Sequence, residues 1–189
     1  MKKIFFTIFF SLILLSSVSF SFAQEVSPTG DMGTSSRSAQ NKSVEYTLPY
    51  PGLLADSPLY FLKILRDKFQ EVFISSPSLK ADFYLLQADK RLYEGKLLFD
   101  KGTSKYSLSE STISKAENYF EKGISQLQIA KNQKLDVNSL IQKYRLSSAK
   151  HEEVVRDMIG KSSGNVKSGL SYSQKRILQL RKTLTEFKL

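Results

Sequence analysis

The sequence predicts an all-α fold, an up-and-down bundle of two antiparallel helical hairpins, and three observations carry that prediction. Apolar residues return at steps of three and four through four successive segments, the spacing of one buried helix face. The breakers Gly102, Asp136 and Gly164 separate those segments at near-equal intervals. The chain has 189 residues, of which 41% are hydrophobic, enough for one core and too few for two.

The elements follow in chain order. Met1-Lys2-Lys3 precedes an apolar run from Ile4 to Phe20 and then Ser21-Phe22-Ala23, the pattern of a secretory signal cleaved after Ala23. The competing reading is an uncleaved anchor, since the run is nearly long enough to span a bilayer. No Lys or Arg follows until Arg37, so the stop-transfer flank is missing. The absence of cysteine excludes lipoprotein attachment, disulfides and thiolate chemistry. Residues 24–45 are rich in Ser, Gly, Thr, Asn and Gln and read as a flexible leader. A single helical domain is expected from 46 to 189, in an extracytoplasmic location.

Leu48-Pro49-Tyr50-Pro51-Gly52 is too proline-rich for a helix and should form an extended strap. Asp56 or Ser57 before Pro58 is a cap-and-proline start for a first helix at 58–74, with Leu62, Leu65, Phe69 and Val72 on one face. Ser76-Pro77 opens the second helix, 77–101, and the others are expected at 109–132, 137–160 and 164–188. The first helix and the strap should pack on the side or end of the bundle.

In the second helix Ala81, Ala88 and Gly95 keep one heptad position small, and Ala116, Gly123 and Ala130 do so in the third. Folding the pair near Lys105 sets Gly95 with Ala116, Ala88 with Gly123 and Ala81 with Ala130, which lets two backbones approach closely. Large layers then form from Phe99 with Ile113, Leu92 with Phe120 and Leu85 with Leu127. The second hairpin sets Met158 with Val166, Tyr144 with Leu180 and Val137 with Phe187. It also places His151 opposite Ser173, a polar layer that fixes register.

The segments Tyr46-Thr47-Leu48-Pro49-Tyr50-Pro51-Gly52, Leu54-Ala55-Asp56-Ser57-Pro58-Leu59-Tyr60, Leu62-Lys63, Arg66-Asp67, Ala88-Asp89-Lys90-Arg91-Leu92 and Glu94 carry a resemblance. Over residues 46 to 130 the chain resembles a bacterial family of unknown function with LPYPG, LPDSPLY-x-LK and A-x-x-RL-x-E-A signatures. Ala55 stands where that pattern has Pro, and Gly95 where it has Ala. The resemblance implies a secreted or membrane-tethered extracytoplasmic helical domain, often from lineages of very small bacteria, and implies no activity.

The residues that could carry chemistry are few. One His makes a multi-His metal site impossible within the chain, and no cofactor or metal site is expected. A His151–Ser173 pair could begin a nucleophilic site, but a helix interior offers no spare N–H groups for an oxyanion. Asp89 and Glu94, five residues apart, lie on different helix faces and read as ion-pairing groups rather than an acid/base pair. No catalytic residue is expected.

There are 28 Lys and Arg against 18 Asp and Glu, a formal net charge of +10. Lys161, Lys167, Lys175, Arg176, Arg181, Lys182 and Lys188 concentrate it at the C-terminal end against Glu186 alone. Lys175, Arg176, Arg181 and Lys182, together with Tyr50, Tyr60 and Phe61 beside the strap, form the expected contact surface. Its expected partner is an anionic envelope component or another envelope protein. Nucleic acid is not expected, because no aromatic platform interleaves with the charges. A membrane-surface role for the last helix would need a broad apolar face free for lipid, and its stripe is used in the hairpin. The expected function is a non-enzymatic binding or structural module of the cell envelope. The alternative is an envelope sensor or chaperone-like bundle, which would need an exposed apolar cradle.

Overall fold

A computed structural model describes residues 43–187. The signal segment 1–23, the leader up to residue 42, and Lys188 lie outside the described residues. The helices are α1 (Tyr60–Phe73), α2 (Pro77–Asp100), α3 (Tyr106–Asn132), α4 (Asn138–Gly160) and α5 (Gly164–Glu186), with a 3-10 turn at Thr103–Lys105. Among the described residues there is no strand. The all-α bundle expected from periodicity is therefore the fold.

Ends differ from expectation where side chains found other partners. Helix α1 starts at Tyr60, after a turn in which the Ser57 hydroxyl accepts from the Leu59 N–H at 3.4 Å. Asp56 does not cap it: its carboxylate lies 2.8 Å from Lys101 Nζ and 3.7 Å from Lys105 Nζ, tying the strap to the α2–α3 connection. Those ammonium groups hold the Asp56 carboxyl below its ordinary range. Gly102 turns that connection with φ 102°, a conformation costly for a residue with a Cβ.

Helices alternate in direction along the chain, but the hairpins sit side by side so that α4 runs parallel to α2 and α5 parallel to α3. The rungs show it: Lys143 meets Asp82 and Ser147 meets Asp89, while Gly169 lies against Glu110 and Arg176 meets Glu117 and Glu121. Two hydrophobic clusters fill the interior. One joins Ala81, Leu85 and Ala88 to Phe120, Leu127, Ala130, Ile141, Tyr144 and Leu184. The other joins Leu92 and Phe99 to Ile113, Ala116, Val155, Met158, Leu170 and Ile177.

The expected layers are partly kept. Leu85 and Leu127 share one cluster, and Phe99 and Ile113 share the other, whereas Leu92 and Phe120 fall in different ones. In the second hairpin Tyr144 and Leu180 share the first cluster, as do Val137 and Phe187, and Val166 packs on the cluster of Met158. All six small residues are buried. At the glycines, however, large side chains take the space. A Cβ on Gly95 would lie 2.5 Å from Ile113 Cδ1, and one on Gly123 would overlap the Tyr144 hydroxyl. The Ser109 hydroxyl also donates to the Gly95 carbonyl at 2.6 Å, a bond that needs close backbones.

Candidate interaction surface

Helix α1 is turned inside out relative to an ordinary surface helix. At 3.6 residues per turn, Phe61, Val72, Leu65, Phe69, Leu62 and Phe73 fall within an arc of about 120°. That arc faces away from the bundle: Val72 and Phe73 are 77% and 79% exposed, and the other four are also exposed. The inward side carries Lys63 and Asp67, which are only 5% and 3% exposed. Neither hydrophobic cluster contains a residue of α1.

Charge holds this helix in place. Lys63 Nζ donates to Glu94 Oε2 at 2.9 Å and to the Leu53 carbonyl at 2.9 Å. Arg91 donates to the same Glu94 oxygen at 3.0 Å and approaches Asp67 at 3.8 Å, while Arg66 grips Asp67 at 2.6 Å. The Tyr60 ring lies under both cations, 5.3 Å from Lys63 Nζ and 5.1 Å from the Arg91 guanidinium carbon. Glu71 accepts from the Tyr84 hydroxyl at 2.6 Å and lies 3.7 Å from Lys122. Buried charges of this kind are tolerated because they are paired. Lys90 stands beside Arg66 and Lys63; burial first, then those two cations, lowers its pKa. Lys63, Arg66, Lys90 and Arg91 thus outnumber Asp67 and Glu94 at this seam.

The strap is held by a second polar knot. Asp89 accepts from Ser147 at 2.5 Å, lies 3.1 Å from His151 Nε2, and takes the Tyr46 hydroxyl at 2.5 Å. Burial and the adjacent Asp89 carboxylate raise the Tyr46 phenol well above its usual pKa. The chain is already tied at Val44, whose N–H donates to Glu153 at 2.6 Å, inside the segment expected to be flexible leader. Tyr46 and Tyr60 therefore pin the strap and α1, whereas Tyr50, 74% exposed, and Phe61 face outward.

His151 and Ser173 are both buried, and each turns to a carboxylate from the other hairpin. His151 meets Asp89 of α2 at 3.1 Å, and Ser173 stands beside Glu117 of α3, whose buried carboxylate oxygens have no hydrogen-bond partner among the described residues. Along α2, α3 and α4 the residues Asp89, Glu117, Ser147, Ser148 and His151 fall between the two clusters, so the polar layer spans the bundle rather than one hairpin. Desolvation raises the Glu117 carboxyl to about 7, although Arg176 stands 3.2 Å away. The space bounded by Glu117, Phe120, Ser148, His151, Ile177 and Leu180 is too tight to admit a water molecule.

The basic residues of α5 divide. Arg176 is spent on Glu117, Asn118 and Glu121, and Arg181 on Glu152, while Lys175 and Lys182 are exposed. An open cleft of about 350 Å³ lies between the strap, α2 and α4, lined by Leu48, Tyr93, Lys96, Glu153 and Asp157 among others. Among the described residues no cluster of three metal-ligating side chains occurs. Nor is any helix there long and apolar enough to cross a membrane.

The reversed helix was readable in principle. Tyr60, Lys63, Asp67 and Glu71 repeat at steps of three and four, a polar stripe as regular as the apolar one opposite.

The fold and this surface define a helical-bundle domain with a charge-docked outer helix. The chain belongs to the family of the domain of unknown function DUF5667, whose pattern matches residues 52–163, more than half of the sequence. The match begins at the last residue of the strap motif and runs through α4, further than the resemblance over 46–130 implied. No curated protein and no solved structure matches the chain significantly.

Proposed function

We propose that the protein is a non-enzymatic, extracytoplasmic binding module of the cell envelope, and that the outward face of α1 is its contact surface. The observation that carries this reading is the reversal of α1: charged residues are buried while six large apolar side chains meet solvent. Continuous exposed apolar surface of this kind marks interaction sites. The basic start, apolar run and small residues before position 24 support export. The tight packing beside His151, with no room for a water molecule, favours a register-fixing role over catalysis. A chaperone-like bundle would need a cradle, and these side chains line the convex side of a single helix.

Fractionation combined with site-specific photocrosslinking tests the reading. The mature form should lack residues 1–23 and lie outside the cytoplasm. A photoreactive side chain at Phe69 should capture envelope material that one at the exposed Leu178 of α5 does not. A cytoplasmic protein with its leader intact, or equal capture at both positions, would overturn it.

A further inference from the structure

We propose that the outward face of α1 docks in the plane of an anionic lipid bilayer surface, with its apolar stripe below the headgroups and Arg66 and Lys68 at the phosphates. The inference rests on the reading of this face as the contact surface and names its partner.

Three observations select lipid. First, the apolar arc of α1 is flanked by cations on both edges: Arg66 follows Phe73 on the helical wheel, and Lys68 precedes Phe61. Among the charged residues of α1 these two are exposed, Arg66 while also paired with Asp67 at 2.6 Å; Asp67 and Lys63 are buried, and Glu71 is half-buried and engaged. An apolar face rimmed by Lys and Arg is the pattern of a helix lying about 5–10 Å into an interface. Second, the seam behind the stripe holds more cations than carboxylates, so attraction to an anionic surface adds to burial. Third, Lys63 of α1 and Arg91 of α2 are both paired with Glu94 on the inward side, so the helix can lie flat without breaking those buried ion pairs.

A second copy fits less well. Helix α1 is about 21 Å long, and one such face against another falls at or below the roughly 1,200–2,000 Å² of stable interfaces. The pairing would also set Arg66 and Lys68 of both copies together, with no exposed acid on α1 to answer them.

The test uses residues 41–189, which form one compact unit holding both clusters, the strap and α1 without the apolar run at 4–20. This protein is sedimented with vesicles of phosphatidylcholine alone and of phosphatidylcholine mixed with phosphatidylglycerol. Binding should favour the mixed vesicles and weaken with salt. Arg66→Gln and Lys68→Gln should each cost roughly 5-fold. Leu65→Glu with Phe69→Glu should reduce binding by at least about 10-fold, with helicity and unfolding midpoint unchanged. The chain has no Trp, so Phe69→Trp gives a clean probe whose fluorescence should shift to the blue and be quenched by brominated lipid.

Failure to bind either vesicle overturns the inference. So does binding that survives the double glutamate variant, or binding without quenching at position 69, either of which would place the lipid contact away from α1. A concentration-dependent dimer lost in the double glutamate variant, without vesicle binding, also overturns it while leaving α1 as the contact surface. The broader reading falls separately, if crosslinking at Phe69 captures no more than at Leu178.

Discussion

The ring of Tyr144 lies across Gly123, and its hydroxyl donates to the Ala81 carbonyl at 2.7 Å. One side chain of α4 thereby touches α3 and α2 in the first hydrophobic cluster. It packs edge-on against Phe120, with ring centres 5.0 Å apart.

Gly123→Ala should destabilise the protein by about 1–3 kcal/mol, since overlap with the Tyr144 hydroxyl outweighs the gain in helix propensity. In a Tyr144→Phe background the cost should shrink, because the nearest atom is gone. Urea denaturation of the two single variants and the double variant measures this coupling.

Glu117 should make stability fall as pH rises between about 4.5 and about 7. Its folded pKa is raised from 4.5 to about 7, chiefly by burial, so the folded state holds this proton more tightly than the unfolded chain. The stabilisation is full below 4.5, declines through that window and is gone above it. Asp56 and Glu153, whose carboxyls are held low, act in the opposite sense at lower pH. Thermal unfolding followed across this range should show the decline, and Glu117→Gln should flatten it.

Asp89→Ala removes the acceptor shared by Tyr46 and Ser147 and the carboxylate beside His151. The expected loss is about 2–4 kcal/mol, above that of one neutral hydrogen bond because a buried charge answers several groups. Limited proteolysis should cut between Ser43 and Gly52 first, before the helices are attacked.

Glu94→Ala leaves Lys63 and Arg91 buried without their shared partner, a change that costs about 3–5 kcal/mol in comparable settings. Because α1 contributes to neither cluster, most of that should appear as detachment of α1 rather than loss of the bundle. Hydrogen exchange should speed up in residues 60–73 and stay slow in α2 to α5.

The bundle was legible because its helices bury long stripes, and a helix with one apolar face and one polar face has little choice of orientation. Met158, Tyr144 and Val137 share clusters with their expected partners, or pack beside them, for that reason. The glycines were harder to read. A missing side chain announces that something comes close without saying what, and Ile113 and Tyr144 fill those spaces instead of a facing small residue. Register within one hairpin sets His151 opposite Ser173, and both are buried; their neighbours Asp89 and Glu117 sit on helices whose arrangement depends on how the hairpins stack. Helix α1 was the least legible element. Its two stripes are equally regular, and which one turns inward is decided by Glu94 and Arg91, well downstream in the chain.

The strap has a mechanical consequence. Any pull on residues ahead of Ser43 arrives first at the Val44–Glu153 and Tyr46–Asp89 bonds, set across the flank of α4 and α2. Tension would load these two anchors before it reached a single helix, so the bundle can stay folded while the strap gives way.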